Sequence, residues 1–327
     1  MFDVVAMGEL LIDFTPSGYA ETGNMLYEKN PGGAPANVLA AVSKLGRTCA
    51  FLGMVGNDQH GIFLKNILEE NKIDTTGLKF SHEFNTTLAF VHLDKSGDRT
   101  FSFYRNPGAD MMYSKNDIDY DVVKNGKVFH FGSISMTDEP VRSATIKAVE
   151  HARKQGCLIS YDPNLRPPLW RNLKEARENI LIGLKYADIL KLSEEELEFI
   201  TDNGNLVSAT SNLYSMGISA ILVTLGAKGC FYRYKGGSGR LDTYDTKVVD
   251  TTGAGDAFLG GILYKLCNMD CKAISEMDRA DFERVIDFGN ATGSLCATKR
   301  GAIPAMPDIT EVEKCMKEVP RVIAENI

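Results

Sequence analysis

Residues 248–266 have the sequence VVDTTGAGDAFLGGILYKL, in which an apolar stretch, a turn and a helix follow one another. We expect a strand to end at Asp250. Gly253 and Gly255 then let backbone N–H groups approach an anion, because neither glycine has a Cβ atom in the way. The helix that follows adds unsatisfied N–H groups and a favourable dipole at its N-terminus. This segment therefore predicts an oxyanion or phosphate site between a strand and a helix.

A carboxylate lies just inside this helix. Asp256 would repel a phosphate group unless it has a task there, and one such task is to take a proton from an attacking hydroxyl group. The alternative is structural: Asp256 only complements the helix dipole, and the glycines only turn the chain. A motif this short leaves both interpretations open.

Short apolar runs alternate with helical segments through most of the chain. Strands that alternate with helices predict βαβ units and a mainly parallel sheet covered on both faces. Ligands of such sheets bind beyond the carboxyl ends of the strands. The predicted strands lie at 3–8, 48–56, 127–133, 157–162, 188–193 and 220–226, and the predicted helices at 34–46, 59–72, 140–155, 173–186, 194–201 and 205–216.

Two stretches break this alternation. Residues 86–106 read as a β-hairpin with a turn at 95–98, and its alternating pattern predicts one covered and one open face, as in a lid. Residues 232–250 also look antiparallel, around a glycine-rich turn. From Thr251 onward the chain is predicted to be mostly helical.

Composition excludes several classes of protein. The 327 residues are 44% hydrophobic and 24% charged, which suits one large α/β domain. The net charge of -7 argues against nucleic-acid binding, and no apolar run is long enough to cross a bilayer. Seven single cysteines, five isolated histidines and an N-terminus without signal-peptide features predict a cytoplasmic protein with reduced thiols and no zinc site.

Three further segments carry polar residues near predicted strand or helix ends. Gly32 and Gly33 precede a helix whose first turn contains Asn37, so backbone amides and this side chain can meet a polar ligand. Arg166 follows a strand, and a guanidinium group binds phosphate in bidentate fashion. The acidic run 194–196 opens a helix, where the dipole alone favours acids. Each segment also has a structural interpretation. The glycines would only turn the chain, Arg166 would be a surface residue, and the acidic run would only complement the helix dipole.

Familiar nucleotide motifs are missing. The chain has no GxxxxGK[ST] sequence, and its GAGD turn does not complete GxGxxG. The Asp-Phe-Gly and His-Arg-Asp signals of protein kinases are also absent. The motifs therefore do not support a P-loop kinase, a protein kinase or a dinucleotide-dependent dehydrogenase.

Taken together and in this order, these segments resemble the ribokinase-like (phosphofructokinase B) family of sugar kinases. DTTGAGDAF at 250–258 looks like the family's C-terminal signature, and PGGAPANVLAAVSKLG at 31–46 looks like its N-terminal one. The resemblance covers nearly all of the chain. It implies a three-layer α/β sandwich as a single domain over 1–327, with a mainly parallel central sheet covered by helices. A small β-sheet lid would be inserted from about 11–30 and 86–112.

The resemblance also implies an activity. The segments at 8–16, 103–110, 161–170 and 301–307 are most similar to the fructokinases of bacteria. The expected reaction is ATP-dependent phosphorylation of the 6-hydroxyl of fructose, giving fructose 6-phosphate and ADP. Asp256 would be the catalytic base, and the turn formed by Gly253, Ala254 and Gly255 would be the anion hole. In this family such lids often pair across a dimer interface, so we expect a homodimer.

The remaining site residues follow from the same resemblance. Expected substrate-binding residues are Asp13, Gly32, Gly33, Asn37, Arg105, Asn164 and Arg166, the last near the transferring phosphate. Expected nucleotide-binding residues are Ser193, Thr224, Gly226, Gly229 and Asn290. Glu196 would organise Mg²⁺ through water, and the backbone carbonyls of Asp250 and Thr252, with the 296–301 loop, would hold a monovalent cation such as K⁺.

One departure and two alternatives accompany this assignment. Ser193 stands where family members commonly have Asn. Serine has a hydroxyl group but lacks the reach of the amide, so this departure concerns how Mg²⁺ or phosphate is bound. A 2-keto-3-deoxygluconate kinase of the same family would need a cation for its acceptor's carboxylate, and Arg105 is the candidate. A non-catalytic sugar sensor would be expected to have lost Asp256 or the glycine turn, and this chain retains both.

Overall fold

A computed structural model describes residues 1–93, 99–267, 269 and 271–322. The predicted turn at 95–98 lies outside these residues. The strands are β1 (Phe2–Met7), β2 (Leu11–Tyr19), β3 (Met25–Gly32), β4 (Cys49–Gly56), β5 (Ile73–Asp74), β6 (Leu78–Ser81), β7 (Leu88–Leu93), β8 (Arg99–Tyr104), β9 (Gly126–Gly132), β10 (Leu158–Asp162), β11 (Ile189–Ser193), β12 (Ala220–Thr224), β13 (Cys230–Tyr234) and β14 (Gly237–Leu241). The α-helices are α1 (Ala34–Lys44), α2 (Gln59–Glu70), α3 (Tyr120–Lys124), α4 (Val141–Lys154), α5 (Leu173–Leu184), α6 (Glu194–Thr201), α7 (Leu206–Tyr214), α8 (Ala254–Leu266), α9 (Cys271–Glu276), α10 (Arg279–Cys296) and α11 (Ile309–Glu318).

The central sheet has the strand order β14-β13-β12-β11-β10-β9-β1-β4-β5, with β6 also paired to β4. Its strands from β12 to β5 pair in parallel, and β13 and β14 continue the sheet in antiparallel fashion. This confirms the mainly parallel α/β sheet predicted from the alternating runs.

Both faces of this sheet are covered, as the apolar strands require. Along β1, Val4 and Ala6 belong to a core shared with α1, α8 and α10, whereas Val5 and Met7 belong to a core shared with α4 to α7. Successive side chains of a strand point to opposite faces, so one continuous apolar run supplies both cores. The result is three layers, helices on a sheet on helices.

A second sheet has the strand order β3-β2-β7-β8. The pairs β2–β3 and β7–β8 are antiparallel, and β2 and β7 are joined in parallel. Its strands fall within 11–32 and 88–104. Two statements stay predictions: this sheet closes as a lid, and the whole chain forms one domain.

The predicted strand before the glycine turn is wrong. Residues 242–253 form a loop, and the side chains of Val248 and Val249 are 58% and 52% exposed. The backbone N–H groups of Val249 and Asp250 both donate to the carbonyl oxygen of Ala297, at 2.8 and 3.2 Å, instead of to a neighbouring strand. The apolar pair lacked the cross-strand partner that a strand needs. The predicted helix after the turn is confirmed as α8, which begins at Ala254 and has Asp256 in its first turn.

Three further findings bear on the sequence predictions. Within the described residues, none of the helices has the length and apolar character that a membrane span needs. The six cysteines whose side chains are described are buried and free of disulfide bonds. The part of the chain that the structure describes contains no cluster of three or more His, Cys, Asp or Glu side chains that could hold a metal ion. The cytoplasmic location stays a prediction.

Candidate active site

A cavity of about 330 Å³ lies where the second sheet meets the carboxyl edge of the central sheet and the first turns of α1 and α8. Strand β11, the loop after β10 and both helix starts contribute to its wall. Of the predicted site residues, the wall contains Asp13, Gly33, Asn37, Asn164, Arg166, Thr252, Gly253, Gly255 and Asp256. The tertiary structure thus brings together residues from four separate parts of the chain.

The start of α8 is built around two glycines. Gly253 adopts φ 75°, and a Cβ atom there would lie 2.6 Å from the Cβ of Ala302. At Gly255 a Cβ atom would lie 3.1 Å from Nζ of Lys191. The N–H group of Ala254 donates to the carbonyl oxygen of Thr251 at 3.2 Å, so this amide already has an acceptor in the turn. Gly253 therefore lets the turn pack against Ala302, and Gly255 leaves room for the ammonium group of Lys191 beside the helix N-terminus.

Asp256 projects into the cavity from the first turn of α8. Its Oδ2 accepts a hydrogen bond of 2.8 Å from Nδ2 of Asn37 on α1. Burial raises the pKa of this carboxyl group, and Lys191, the Asn37 amide and Arg166 offset part of that effect. The arrangement fixes the carboxylate in one orientation beside positive charge, as a general base requires.

Lys191 is a site residue that sequence reasoning missed. It lies on β11, and its buried Nζ donates to Oδ2 of Asp162 at 2.7 Å. Burial alone would lower the pKa of the ammonium group, but Asp162, Glu196 and Asp256 outweigh it and raise the pKa, so Lys191 stays charged. A lysine within the otherwise apolar strand ILKLS, two residues before its end, was the available signal.

A cation at this position changes the chemistry of the helix N-terminus. The ammonium group of Lys191 and the N-terminus of α8, which is the positive end of the helix dipole, both face one cavity. Arg166 adds a third positive group to the same wall. These three positive groups are able to stabilise the negative charge of a phosphoryl group.

Glu9 is the second residue that was missed. Its buried Oε1 accepts a hydrogen bond of 2.9 Å from the N–H group of Ala34, and burial raises the pKa of the carboxyl group to about 7. Gly33 next to it has φ 118°, and a Cβ atom there would lie 2.3 Å from the carbonyl oxygen of Glu9. Glu9 and Gly33 together hold the start of α1, which carries Asn37.

Asp13 projects from β2 into the same cavity. Burial raises the pKa of its carboxyl group to about 6, and Arg166 offsets part of that effect. A Cβ atom on Gly32 would lie 2.1 Å from Oδ2 of Asp13, so Gly32 provides the space that this carboxylate occupies. Gly32 thus shapes the site without lining it.

The loop after β10 positions Arg166. Asn164 has φ 45°, and its N–H group donates to Oδ1 of Asp162 at 3.1 Å. Oε1 of Glu196 accepts a hydrogen bond of 2.6 Å from the N–H group of Leu165, so this carboxylate ties the loop to α6. Among the described residues, Arg166 has no ion-pair partner and lines the cavity.

Ser193 and Glu196 form a capping box at the start of α6. Oγ of Ser193 accepts from the N–H group of Glu196 at 3.1 Å, and Oε2 of Glu196 accepts from the N–H group of Ser193 at 2.8 Å. A serine therefore performs the capping that an asparagine would perform at this position. The predicted roles of Ser193 toward a nucleotide and of Glu196 toward Mg²⁺ stay predictions.

Arg105 is not part of this cavity wall. Its guanidinium is buried, with Nε 2.7 Å from Oδ2 of Asp110, and it also donates to Oγ1 of Thr137 and to the carbonyl oxygen of Ile134. The sequence could not reveal this, because Asp110 gives no sign of being its partner. Because its guanidinium group is already paired with Asp110, Arg105 is not a free cation for the carboxylate of an acceptor such as 2-keto-3-deoxygluconate.

The predicted nucleotide residues lie outside the cavity wall. Thr224 pairs with Ser193 at the carboxyl ends of β12 and β11. Gly226 and Gly229 follow in a turn with positive φ. Asn290, buried on α10, donates to the carbonyl oxygens of Leu241 and Asp242, at 3.4 Å each. Their part in binding a nucleotide stays a prediction.

The predicted cation loops are in contact. Oδ1 of Asp250 accepts from the N–H and hydroxyl groups of Thr252, at 2.9 and 2.7 Å. Oδ2 of Asp250 accepts from the N–H group of Gly301 at 3.0 Å. This carboxylate joins the loop before α8 to the loop after α10, while cation binding by their carbonyl groups stays a prediction.

Comparisons with known proteins agree with the fold. Residues 1–309 match the family model described as pfkB family carbohydrate kinase. Fructokinase-1 of Oryza sativa subsp. japonica is 44% identical over 317 residues, which cover 96% of this chain and 97% of that protein.

Two solved structures are similar over the whole chain. The fructokinase of Xylella fastidiosa with bound ATP has a TM-score of 0.90 and 33% identity, covering 97% of this chain and 99% of that one. A fructokinase double mutant of Vibrio cholerae O395, with fructose, ADP and a potassium ion, has a TM-score of 0.86 and 33% identity, covering 96% and 98%. The chain therefore belongs to the pfkB family of carbohydrate kinases and is a phosphotransferase that acts on a sugar.

Proposed function

We propose that this enzyme transfers the γ-phosphoryl group of ATP to the 6-hydroxyl of fructose. The observation that carries the proposal is the Asp256 carboxylate, held by Asn37 at the start of α8 and flanked by the buried ammonium of Lys191. The relatives named fructokinase support fructose as the acceptor. The products are fructose 6-phosphate and ADP.

The reaction needs a base and a place for negative charge. Asp256 accepts the proton of the 6-hydroxyl as the new oxygen–phosphorus bond forms and the bond from phosphorus to the ADP oxygen breaks. The first turn of α8, Lys191 and Arg166 stabilise the charge on the transferred group. A strong base is unnecessary, because the hydroxyl loses its proton late in such a transfer.

The sugar pocket follows from the polar groups around Asp256. Asp13 and Asn164 line the cavity and can accept or donate to sugar hydroxyls. Oδ1 of Asn37 is buried and, among the described residues, has no hydrogen-bond partner. A hydroxyl of the acceptor would satisfy it, so Asn37 would orient both the sugar and the base.

We propose ATP, Mg²⁺ and K⁺ as the cofactors. The similar structures contain ATP in one case and fructose, ADP and potassium in the other. Each oxygen of Glu196 accepts one backbone N–H group and keeps a second lone pair, which suits contact with Mg²⁺ through water. The contact between the Asp250 and Gly301 loops suits a K⁺ ion held by carbonyl groups.

We also propose a homodimer formed through the second sheet. Tyr104 and Tyr27 are 67% and 37% exposed, and both rings contact Phe90 on one face of the sheet. An exposed aromatic face on a small sheet with two open edges favours association. A second copy of the same sheet covers both the face and the edges.

The test is ADP release from ATP and Mg²⁺ by the purified protein. The acceptor panel is fructose, ribose, glucose, mannose, tagatose and 2-keto-3-deoxygluconate. We expect strong turnover on fructose, with the phosphoryl group on O6 in the ³¹P and ¹³C NMR spectra of the product.

Two outcomes would contradict the proposal. Turnover only on the keto acid would make that acid the acceptor and leave Asp256 as the base. Its carboxylate would then be bound by Arg166 and Lys191, two cations of the cavity wall. Sugar-dependent thermal stabilisation without turnover on any acceptor would identify a sensor instead of a kinase.

A further inference from the structure

The two ends of the β7–β8 hairpin are held by one buried carboxylate. Oδ1 of Asp110 accepts from Oγ1 of Thr87, at 2.5 Å, just before β7 begins. Oδ2 accepts from Nε of Arg105, at 2.7 Å, just after β8 ends. The last backbone pair of the hairpin is Leu88 with Tyr104, so these side chains supply the next cross-link between the strands.

The same arginine ties the hairpin to the main body. The guanidinium donates to Oγ1 of Thr137 at 3.0 Å and to the carbonyl oxygen of Ile134 at 3.2 Å, both in the segment after β9. Arg105, Asp110 and Thr87 are 5%, 3% and 1% exposed. A buried, hydrogen-bonded ion pair holds its geometry tightly, because separating the two groups would leave an unpaired charge inside the protein.

Position 108, beside this cluster, has no room for a side chain. A Cβ atom on Gly108 would lie 1.8 Å from Oγ1 of Thr87 and 2.8 Å from Oδ1 of Asp110. A second tie lies beside it, where Oδ1 of Asp58 accepts from Oγ1 of Thr86 at 2.8 Å. The base of the hairpin is therefore rigid, and any movement of the strands begins beyond Thr87 and Arg105.

The strands that leave this base form part of the active-site wall. Phe101 and Phe103 on β8 line the cavity that contains Asp256. Their rings stack on each other, with centroids 5.9 Å apart. The orientation of β8 at its base thus decides how these rings cover the acceptor.

We propose that Arg105, Asp110 and Thr87 form a hinge clamp that positions the hairpin over the acceptor and excludes water. Arg105 is then a positioning residue that does not touch the sugar. This inference rests on the proposed kinase function. Loss of the clamp lets β8 move, so the acceptor binds more weakly and water competes for the phosphoryl group.

The test uses Thr87→Val and Arg105→Lys, alone and combined, with Arg142→Lys as the control. Arg142 on α4 also pairs with a carboxylate, Glu139, and its other polar contacts are with Glu175 and Asn179 of α5. We expect each clamp variant to raise the KM for fructose by about three- to tenfold, the effect of one or two lost hydrogen bonds. The KM for ATP stays within twofold, the share of ATP hydrolysed without sugar rises, and the control behaves as the wild type.

Two measurements separate a clamp from a direct sugar contact. The double variant should be no worse than Arg105→Lys alone, because both changes break one unit. The penalty of Arg105→Lys should be the same for fructose and for its 1-, 3- and 4-deoxy analogues. Additive penalties, or a penalty that disappears with one analogue, would overturn the clamp.

Hydrogen exchange tests the clamp independently of the acceptor. In Thr87→Val, amides of 88–93 and 99–104 should exchange faster than in the wild type, while those of 189–193 and 220–224 do not change. Equal exchange in the hairpin would refute the clamp even if the enzyme phosphorylates fructose. If the wild type does not act on fructose, the proposed function fails, and the exchange data still decide the clamp.

Discussion

At the residue scale, the site depends on a few charges that are costly to bury. Lys191 lies between Asp162 and the first turn of α8, and its pKa is raised by the surrounding carboxylates. Asp256 lies close enough to contribute to that effect. An ammonium group that is buried among carboxylates stays charged, and it can therefore attract a phosphoryl group at any physiological pH.

Asp256→Asn tests the catalytic base. The substitution keeps the size of the side chain but removes the proton acceptor. We expect kcat to fall by about a hundred- to ten-thousandfold, the usual contribution of a positioned general base. The affinity for the sugar, measured as KM by initial rates or as Kd by thermal shift, should change only a few-fold. Lost sugar binding with residual turnover would refute the role.

Asp13 predicts a pH dependence of sugar use. Its carboxyl group has a pKa of about 6 in the folded protein, and the ionised form is the better acceptor for sugar hydroxyls. We expect kcat/KM for the sugar to fall as the pH falls through about 6, whereas kcat/KM for ATP falls less. Asp13→Asn should lower kcat/KM for the sugar and remove this limb of the profile. An unchanged limb in that variant would assign it to another group.

The same shift predicts the sign of a stability change. The pKa of Asp13 is raised above its ordinary 3.8, so the folded protein holds the proton more tightly than the unfolded chain. The stabilisation is present below pH 3.8 and is lost as the pH rises through about 6. At pH 7.5, Asp13→Asn should therefore raise the free energy of unfolding, by up to about 3 kcal/mol. Urea titrations at pH 7.5 and 4 should show the gain only at the higher pH.

At the scale of single elements, the site is positioned by helix starts. The N-cap residues of α1, α6 and α8 are Gly33, Ser193 and Gly253, and Asn37, Glu196 and Asp256 follow within the first four residues of these helices. Ser193 caps α6 with a side-chain hydrogen bond, whereas Gly33 and Gly253 make no such bond and instead adopt positive φ angles that turn the chain into the helix. Three short local patterns therefore position side chains that meet only in the folded protein.

Ser193→Ala tests the cap of α6. The hydroxyl accepts the N–H group of Glu196, so its loss should lower the free energy of unfolding by about 1 kcal/mol. Ser193→Asn is the matched variant, because asparagine caps equally well and should restore that stability. Chemical denaturation of the three proteins measures both effects. If the asparagine variant is as unstable as the alanine variant, the capping account is wrong.

At the scale of the whole molecule, the two sheets divide the tasks. The central sheet and its helices place the buried Lys191 and the half-buried Asp256 and Arg166 on the wall of one cavity. The second sheet contributes Asp13 and the two phenylalanines of β8 to the same cavity. One sheet therefore carries the charge that transfer requires, and the other covers the acceptor.

Tyr104→Glu tests the proposed dimer. Tyr104 is the most exposed ring of the aromatic face, and a carboxylate there would be buried against the partner copy. We expect the wild type to sediment as a dimer and this variant as a monomer. Leu173→Glu, at a 52% exposed position on α5, is the control and should stay dimeric. A monomeric wild type, or a dimeric variant, would contradict the proposal.

The order of the layers and the main elements could be read from local patterns. The apolar runs predicted the parallel strands, and Gly46 predicted the end of α1. Asp58 predicted the cap of α2, which its carboxylate makes with two backbone N–H groups. These features depend on residues within one or two turns of each other, so the sequence alone determined them.

The composition of the site was decided only by the tertiary structure. Lys191 reaches Gly255 from another element, and Glu9 reaches Ala34 across 25 positions of the chain. Arg105 was predicted to bind the sugar, and in the fold its guanidinium group is paired with the buried carboxylate of Asp110. Such contacts depend on how strands and helices are stacked, and the chemistry of a charged side chain is set by the partner it finds when buried.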